Sequence, residues 1–357
     1  MNTAMVDRIV AATLYEGYIL YPYRASSVKN QVRWTFGGVF PRAHSEAVHG
    51  ADPHTATTEC LLRGGHDARL EVRVRFLHVV ARTAARLSHP LAHPPASHDP
   101  PPELERVATV DVDGVTHRSW EEAAERELDG GRVTLGALLT EPRMLSLSIP
   151  AGCDTQWLRT PGGTVTAALL REHEPLLVSI EVSAERVATD LARVRVAIGN
   201  VSPVSSAQIT DRSAALRHAL VSTHVMLGVE EGAWLSLADP PVDAAAPAAA
   251  CRNTGLWPAL IGEPGSADTI LASPIILQDH PQLAPESPGD LFDATEIDEI
   301  LSLRILTLTD TEKEEMRSAD DRARAMLERT ENLTQDDFMR MHGALRSTRP
   351  RIGGPDE

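Results

Sequence analysis

A chain of 357 residues, 42% hydrophobic and 24% charged, is globular in composition and long enough to bury a core without disulfide or metal staples. Its formal net charge of -16 argues against phosphate backbones and anionic lipid as partners, because both select clustered positive charge. From residue 281 onward eighteen acidic side chains face ten basic ones, so half of the net charge sits in the C-terminal fifth.

Val6, Ile9, Val10 and Leu14 recur at helical spacing and predict a short amphipathic helix at the start of the chain. The segment YEGYILYPYR follows, with Pro22 as a helix stop. All four tyrosines, Tyr15, Tyr18, Tyr21 and Tyr23, fall here, and Trp34, Phe36 and Phe40 come soon after. In LEVRVRF, Leu70, Val72, Val74 and Phe76 alternate with charged residues, the period of a strand with one wet face. Six prolines between Ser88 and Pro102 exclude regular ladder bonding and predict an extended linker or loop.

VATVDVDGVTHRSW predicts a hairpin turning at Asp113 and Gly114, since Asp-Gly tolerates the positive φ of tight turns. Ser119 with Glu122 forms a capping-box pattern and predicts a helix ending before Gly130 and Gly131. Alternation returns at 145–149, 176–182, 194–198 and 221–227, and DPPVDAAAPAAA from Asp239 reads as a flexible loop. Thr295 with Asp298, Thr309 with Glu312, and Thr334 with Asp337 predict helices beginning near 296, 310 and 335.

The fold class that follows is mainly β, an antiparallel sandwich-like body with a helical C-terminal segment, α+β overall. The expected organisation is an N-terminal aromatic motif with the first strands over 1–87, a Pro-rich linker or loop over 88–102 and a β body over 103–238. An Ala/Pro-rich loop over 239–272, an acidic helical region over 273–347 and a tail over 348–357 complete it.

The sharpest metal-type pattern is HSEAVHGADPHTATTEC, where His44, His49 and His54 recur every five residues beside Glu46, Asp52, Glu59 and Cys60. These are ligand types that zinc or nickel prefers, yet that spacing shares neither a helix face nor a strand face, and a solvated His-rich loop is the competing reading. No G-x-S-x-G, phosphate-binding Gly-rich loop or dinucleotide fingerprint occurs, so no catalytic residue is assigned. Cys60, Cys153 and Cys251 are odd in number, widely spaced and outside any C-x-x-C pair, which points to a reducing cytoplasm. The absence of a run of about 18 apolar residues predicts no membrane span. Tyr21, Tyr23, Arg24, Lys29, Arg33 and Trp34 are the residue types that anchor protein interfaces; a plug for the open end of the body is the alternative.

The N-terminal segment YEGYILYPYRASSVKNQVRWTFGG and the stretch SPIILQDHPQLAPESPGDLFDATEIDEILSLRILTLTDTEKEEM from Ser273 resemble an uncharacterised family encoded with actinobacterial-type nickel-iron hydrogenases. The resemblance covers the first 40 residues and 273–316, and it implies a non-catalytic accessory or assembly role with a hydrogenase subunit or maturation factor as partner. The paired C-x-x-C ligand motifs of a nickel-bearing subunit are missing here. The alternative function is a metal-dependent hydrolase or metal chaperone using the His-rich loop 44–66.

Overall fold

The computed structural model describes residues 3–15, 37–96, 100–281, 305–319 and 321–334. The chain opens with helix α1 (Thr3–Leu14), whose Val6, Ile9, Val10 and Leu14 are buried as their spacing predicts. After the short helix α2 (Arg42–Ala47) comes strand β1 (Thr55–Leu91), 37 residues long. Then follow β2 (Leu104–Val107), β3 (Thr109–Val112), β4 (Val115–Arg118), β5 (Trp120–Thr134), helix α3 (Leu135–Thr140) and β6 (Arg143–Ile149). The body continues with β7 (Gly152–Arg159), β8 (Val165–His173), β9 (Leu176–Ala188), β10 (Leu191–Asn200), helix α4 (Arg212–Leu216) and β11 (Val221–Leu235). Helix α5 (Ala245–Ala250), β12 (Trp257–Leu260), β13 (Thr269–Ser273) and helices α6 (Asp310–Ala319) and α7 (Asp321–Glu331) complete the described chain. Among the described residues no helix is long and apolar enough to cross a membrane.

The fold is mainly β and antiparallel with short helices, as the alternation predicts. Eleven strands share one hydrogen-bonded network, whose main path runs β12-β13-β11-β1-β10-β9-β6 with β2, β5 and β8 also on β1 and β7 on β8; among the described residues the β3–β4 hairpin stands apart. β1 is its spine: residues 55–63 pair with β10, 61–77 with β11, 69–82 with β5, and 81–91 with β8 and β2. The β1–β11 register slips between Gly64 and Arg69, so the strand is irregular there and changes neighbours beyond it. Inward rows from Leu70, Val72, Val74 and Phe76 meet Ile180, Val196, Val225 and Leu135 in one core.

The Asp113-Gly114 hairpin forms as β3–β4, with φ of 54° and 77° at the two turn residues. The helix expected after Ser119 is instead strand β5. Ser119 Oγ accepts from the Ala84 amide (2.9 Å) and donates to the Val107 carbonyl (2.7 Å), while Glu122 pairs with Arg82 and Arg171. Cross-strand partners thus overrode a local capping pattern.

The loop expected from Asp239 contains a 3₁₀ turn, Val242–Ala244, and α5, because Ala244 and Ala248 are small enough to seat against Leu61 and Leu191. The Pro-rich segment joins two adjacent strands: Ser88 N–H still donates to the Glu103 carbonyl across the β1–β2 pair (3.3 Å). At α6 the predicted capping box is present, with Thr309 N–H on Glu312 Oε2 (2.6 Å) and Glu312 N–H on Thr309 Oγ1 (3.4 Å). The helices expected near 296 and 335 lie outside the described residues.

Candidate functional site

One departure from regular sheet geometry lies at the start of β11. Arg75 pairs with His224 but Leu77 with Val221, so Ser222 and Thr223 form a bulge, and Ser222 adopts φ 52°. A non-glycine residue held there is strained, and the surroundings must compensate. They do so through the N-terminus: the Thr223 N–H, turned out of the ladder, donates to the Gly37 carbonyl (3.3 Å). His224 is fully buried, with Nδ1 on the Ser222 carbonyl (2.7 Å) and Nε2 on Thr13 Oγ1 of α1 (2.9 Å). Burial holds His224 down to about 4, against the opposing effect of its Ser222 bond, so it is neutral at physiological pH.

The same corner gathers Tyr15 and Gly37 of the first segment that carries the sequence resemblance and Pro274 and Leu277 at the start of the second. Gly37 has φ 54°, and a Cβ there would lie 2.4 Å from Pro274 Cβ, so only glycine lets the two segments touch. Tyr15 and Leu277 pack onto one apolar cluster with Leu14, Phe40 and Leu271. Ser273 Oγ donates to the Ile275 carbonyl (2.6 Å) and fixes a turn that leaves Ile276 76% exposed. Tyr21, Tyr23, Arg24, Lys29, Arg33 and Trp34 lie outside the described residues.

The His-rich pattern is placed differently. His44 is buried on α2, with Nδ1 on the Ile209 carbonyl (2.8 Å) and Nε2 on Asp52 (3.1 Å), which Arg212 also reaches (3.1 Å). Nδ1 therefore ties the 205–212 loop to α2 directly, and Nε2 meets Asp52, which holds Arg212. His54 meets Ser45 Oγ (3.3 Å), and exposed His49 sits at φ 54° in the turn after α2. Cys60 is fully buried on β1, where burial pushes its thiol up to about 12, far from a thiolate ligand at neutral pH. Among the described residues no three His, Cys, Asp or Glu side chains converge as metal ligands.

A second polar region, which sequence spacing could not assemble, is a cleft of about 550 Å³ where β7 and β8 meet the chain after α4. Gly152 pairs with His173, whose ring lies where a Cβ on residue 152 would be 2.6 Å from Nε2. Cys153 pairs with Glu172, which grips Arg106 in two bonds of 2.7 Å each and is thereby held below the ordinary carboxylate range. Behind the cleft His78 is fully buried, 5.2 Å from His173 between ring centres. Neither of its nitrogens has a partner of good geometry. Burial, then Arg126 and His173, lower His78 to about 4, with the Arg217 backbone opposing in part. The cleft presents a thiol, an imidazole and paired charges of both signs to one opening, a donor set for a small polar ligand.

No protein-family model matches the chain, and no curated protein matches it.

Proposed function

We propose that this protein is a non-catalytic accessory or assembly protein that docks a protein partner through its N-terminal aromatic-basic segment and the segment after β13. The supporting observation is the common anchorage of the two: Gly37 touches Pro274, and Tyr15 and Leu277 share one apolar cluster beside the Ser222–Thr223 bulge. Segments far apart in sequence thereby start from one rigid corner, which lowers the entropy cost of presenting them together. Tyr21, Tyr23, Arg24, Lys29, Arg33 and Trp34 provide rings and cations of the kind that dominate interface energetics, and Ile276 after β13 is an exposed apolar residue. The partner class that the resemblance implies is a subunit or maturation factor of a nickel-iron hydrogenase, met in the cytoplasm, where the three free cysteines stay reduced.

The test substitutes Tyr23→Ala and Arg24→Ala separately and measures thermal melting alongside recovery of partners from native cells by affinity purification and mass spectrometry. Each variant is expected to melt as the parent does and to lose one reproducible partner, a hot-spot loss of about 2 kcal/mol weakening binding about 30-fold. Unfolding of both variants without selective loss would make the segment a plug for the fold and end the docking reading.

A further inference from the structure

The described sheet has five strands with one side unpaired, and four of them are guarded. β2 is four residues long and carries Glu105 and Arg106; β5 is studded with charge; β7 carries Asp154 and Arg159 and a register shift. β12 contains Pro258, and its Leu260 is closed off by Asp279 Oδ1 (2.7 Å) and the His280 N–H (2.7 Å). Short length, charge, proline, bulges and coverage are the devices by which proteins prevent strand addition at an edge.

β6 has none of them beyond Arg143 at its first position. Its sequence, RMLSLSI, is uncharged after Arg143, lacks proline, and pairs with β9 without a break from Arg143–Val182 to Ile149–Leu176. β5 reaches it only at the corner, where Arg143 Nη1 donates to the Arg132 carbonyl (2.8 Å) and Leu145 lies beneath Gly130. Among the described residues the outer side of Ser146–Ile149 has no ladder partner. Leu145, Leu147 and Ile149 pack on the core but stay half-exposed, so the inner row is unfinished.

We propose that β6 is a dimer edge, which pairs antiparallel with β6 of a second copy of this chain about a two-fold axis at Ser146. Three properties select another copy as the occupant. In that register Leu145 faces Leu147 of the second copy and no like charges oppose each other, so the inner row continues across the axis. On the outer face, Ser148 pairs with Leu177, which bonds Val201, and these two apolar residues are 40% and 37% exposed. The two-fold axis sets the 62%-exposed Met144 of the second copy opposite Ser148, at the end of the same cross-strand row. Exposed apolar residues that are scattered in one chain become one row in the pair.

The test is the mass of the full chain in solution, by sedimentation or light scattering, for the parent and for two double variants. Met144→Lys with Ser148→Lys sets lysine opposite lysine across the axis; Met144→Glu with Ser148→Glu does the same with glutamate. All four changes fall on the exposed face, and circular dichroism checks that each variant keeps its strands. The parent is expected at twice the chain mass, each double variant at the chain mass, and an equimolar mixture of the variants again at twice that mass. A parent that stays monomeric at micromolar concentration, or one that remains dimeric with either double variant, overturns the proposal. So does a monomeric parent that takes up an extended peptide at β6, which would assign the edge to a different occupant.

Discussion

The two halves of β1 are built on opposite principles, although one continuous strand runs through both. In the first half the inward row is Leu62, Leu70, Val72, Val74 and Phe76, packed among aliphatic side chains of β9, β10, β11 and β13. Beyond the β11 bulge the row that continues from Phe76 becomes His78, Val80 and Arg82, all buried, among His173, Arg171 and Glu122. The first half is stabilised by area, which tolerates any apolar residue of fitting volume. The second depends on named polar partners, where one missing group strands another.

The largest effect expected from this contrast is in the apolar half. Phe76→Ala empties a fully buried site and should cost about 3–5 kcal/mol in urea unfolding. A cost near 1 kcal/mol would mean that the core collapses around the gap and that the apolar half is the looser one.

The next effect is set by pH. His78 and His224 are both held near 4, below the ordinary 6.5, so each favours the folded state in its neutral form. Their contribution is complete above about pH 6.5 and is lost as pH falls through 6.5 toward 4, by up to about 3 kcal/mol for each group. Urea midpoints at pH 7 and pH 4.5 measure it, and His78→Leu should flatten part of the slope. An unchanged midpoint between the two pH values would sink the claim that these imidazoles are buried neutral.

Glu122 accepts from Arg82 (2.9 Å) and Arg171 (2.8 Å), so Glu122→Gln leaves two guanidinium groups short of a charged acceptor. A loss of about 2–3 kcal/mol is expected, with the Phe76 site unaffected in a double variant. Strong coupling between the two positions would show that the halves are one energetic unit. Smallest is the tail: Thr309→Ala removes the α6 cap and should lower helix stability by about 1 kcal/mol, seen as faster amide exchange in residues 310–313 and nowhere in the sheet.

In the apolar half residues 70–76 were legible because Leu70, Val72, Val74 and Phe76 alternate with charged residues, whereas 55–66, expected within a His-rich loop, form the start of β1. β6, β9, β10 and β11 all fall where alternation places them. Ser119 and Glu122 misled because a capping box is a pattern over four residues, whereas their actual partners, Ala84, Arg82 and Arg171, come from elsewhere in the chain. α2 and α4 are only six and five residues long, too short to show a helical period. The N-terminal aromatic segment was visible by composition. The Ser222–Thr223 bulge was hidden, since its signal is a backbone angle at residues that look like ordinary strand. The His78–His173 contact joins two strands by register, which no spacing along the chain encodes.

The length of β1 also has a consequence in time. During synthesis β2, β5 and β8 emerge soon after Leu91 and can claim residues 69–91 of the strand as they appear. Residues 55–63 must wait for β10, whose first residue is Leu191, a delay of about 5–20 s at about 5–20 residues per second. Through that interval Leu61 and Leu62 lie uncovered outside the ribosome. The nascent chain is thus most vulnerable to aggregation, and most in need of a chaperone, along the stretch that ends up as the most securely buried in the finished protein.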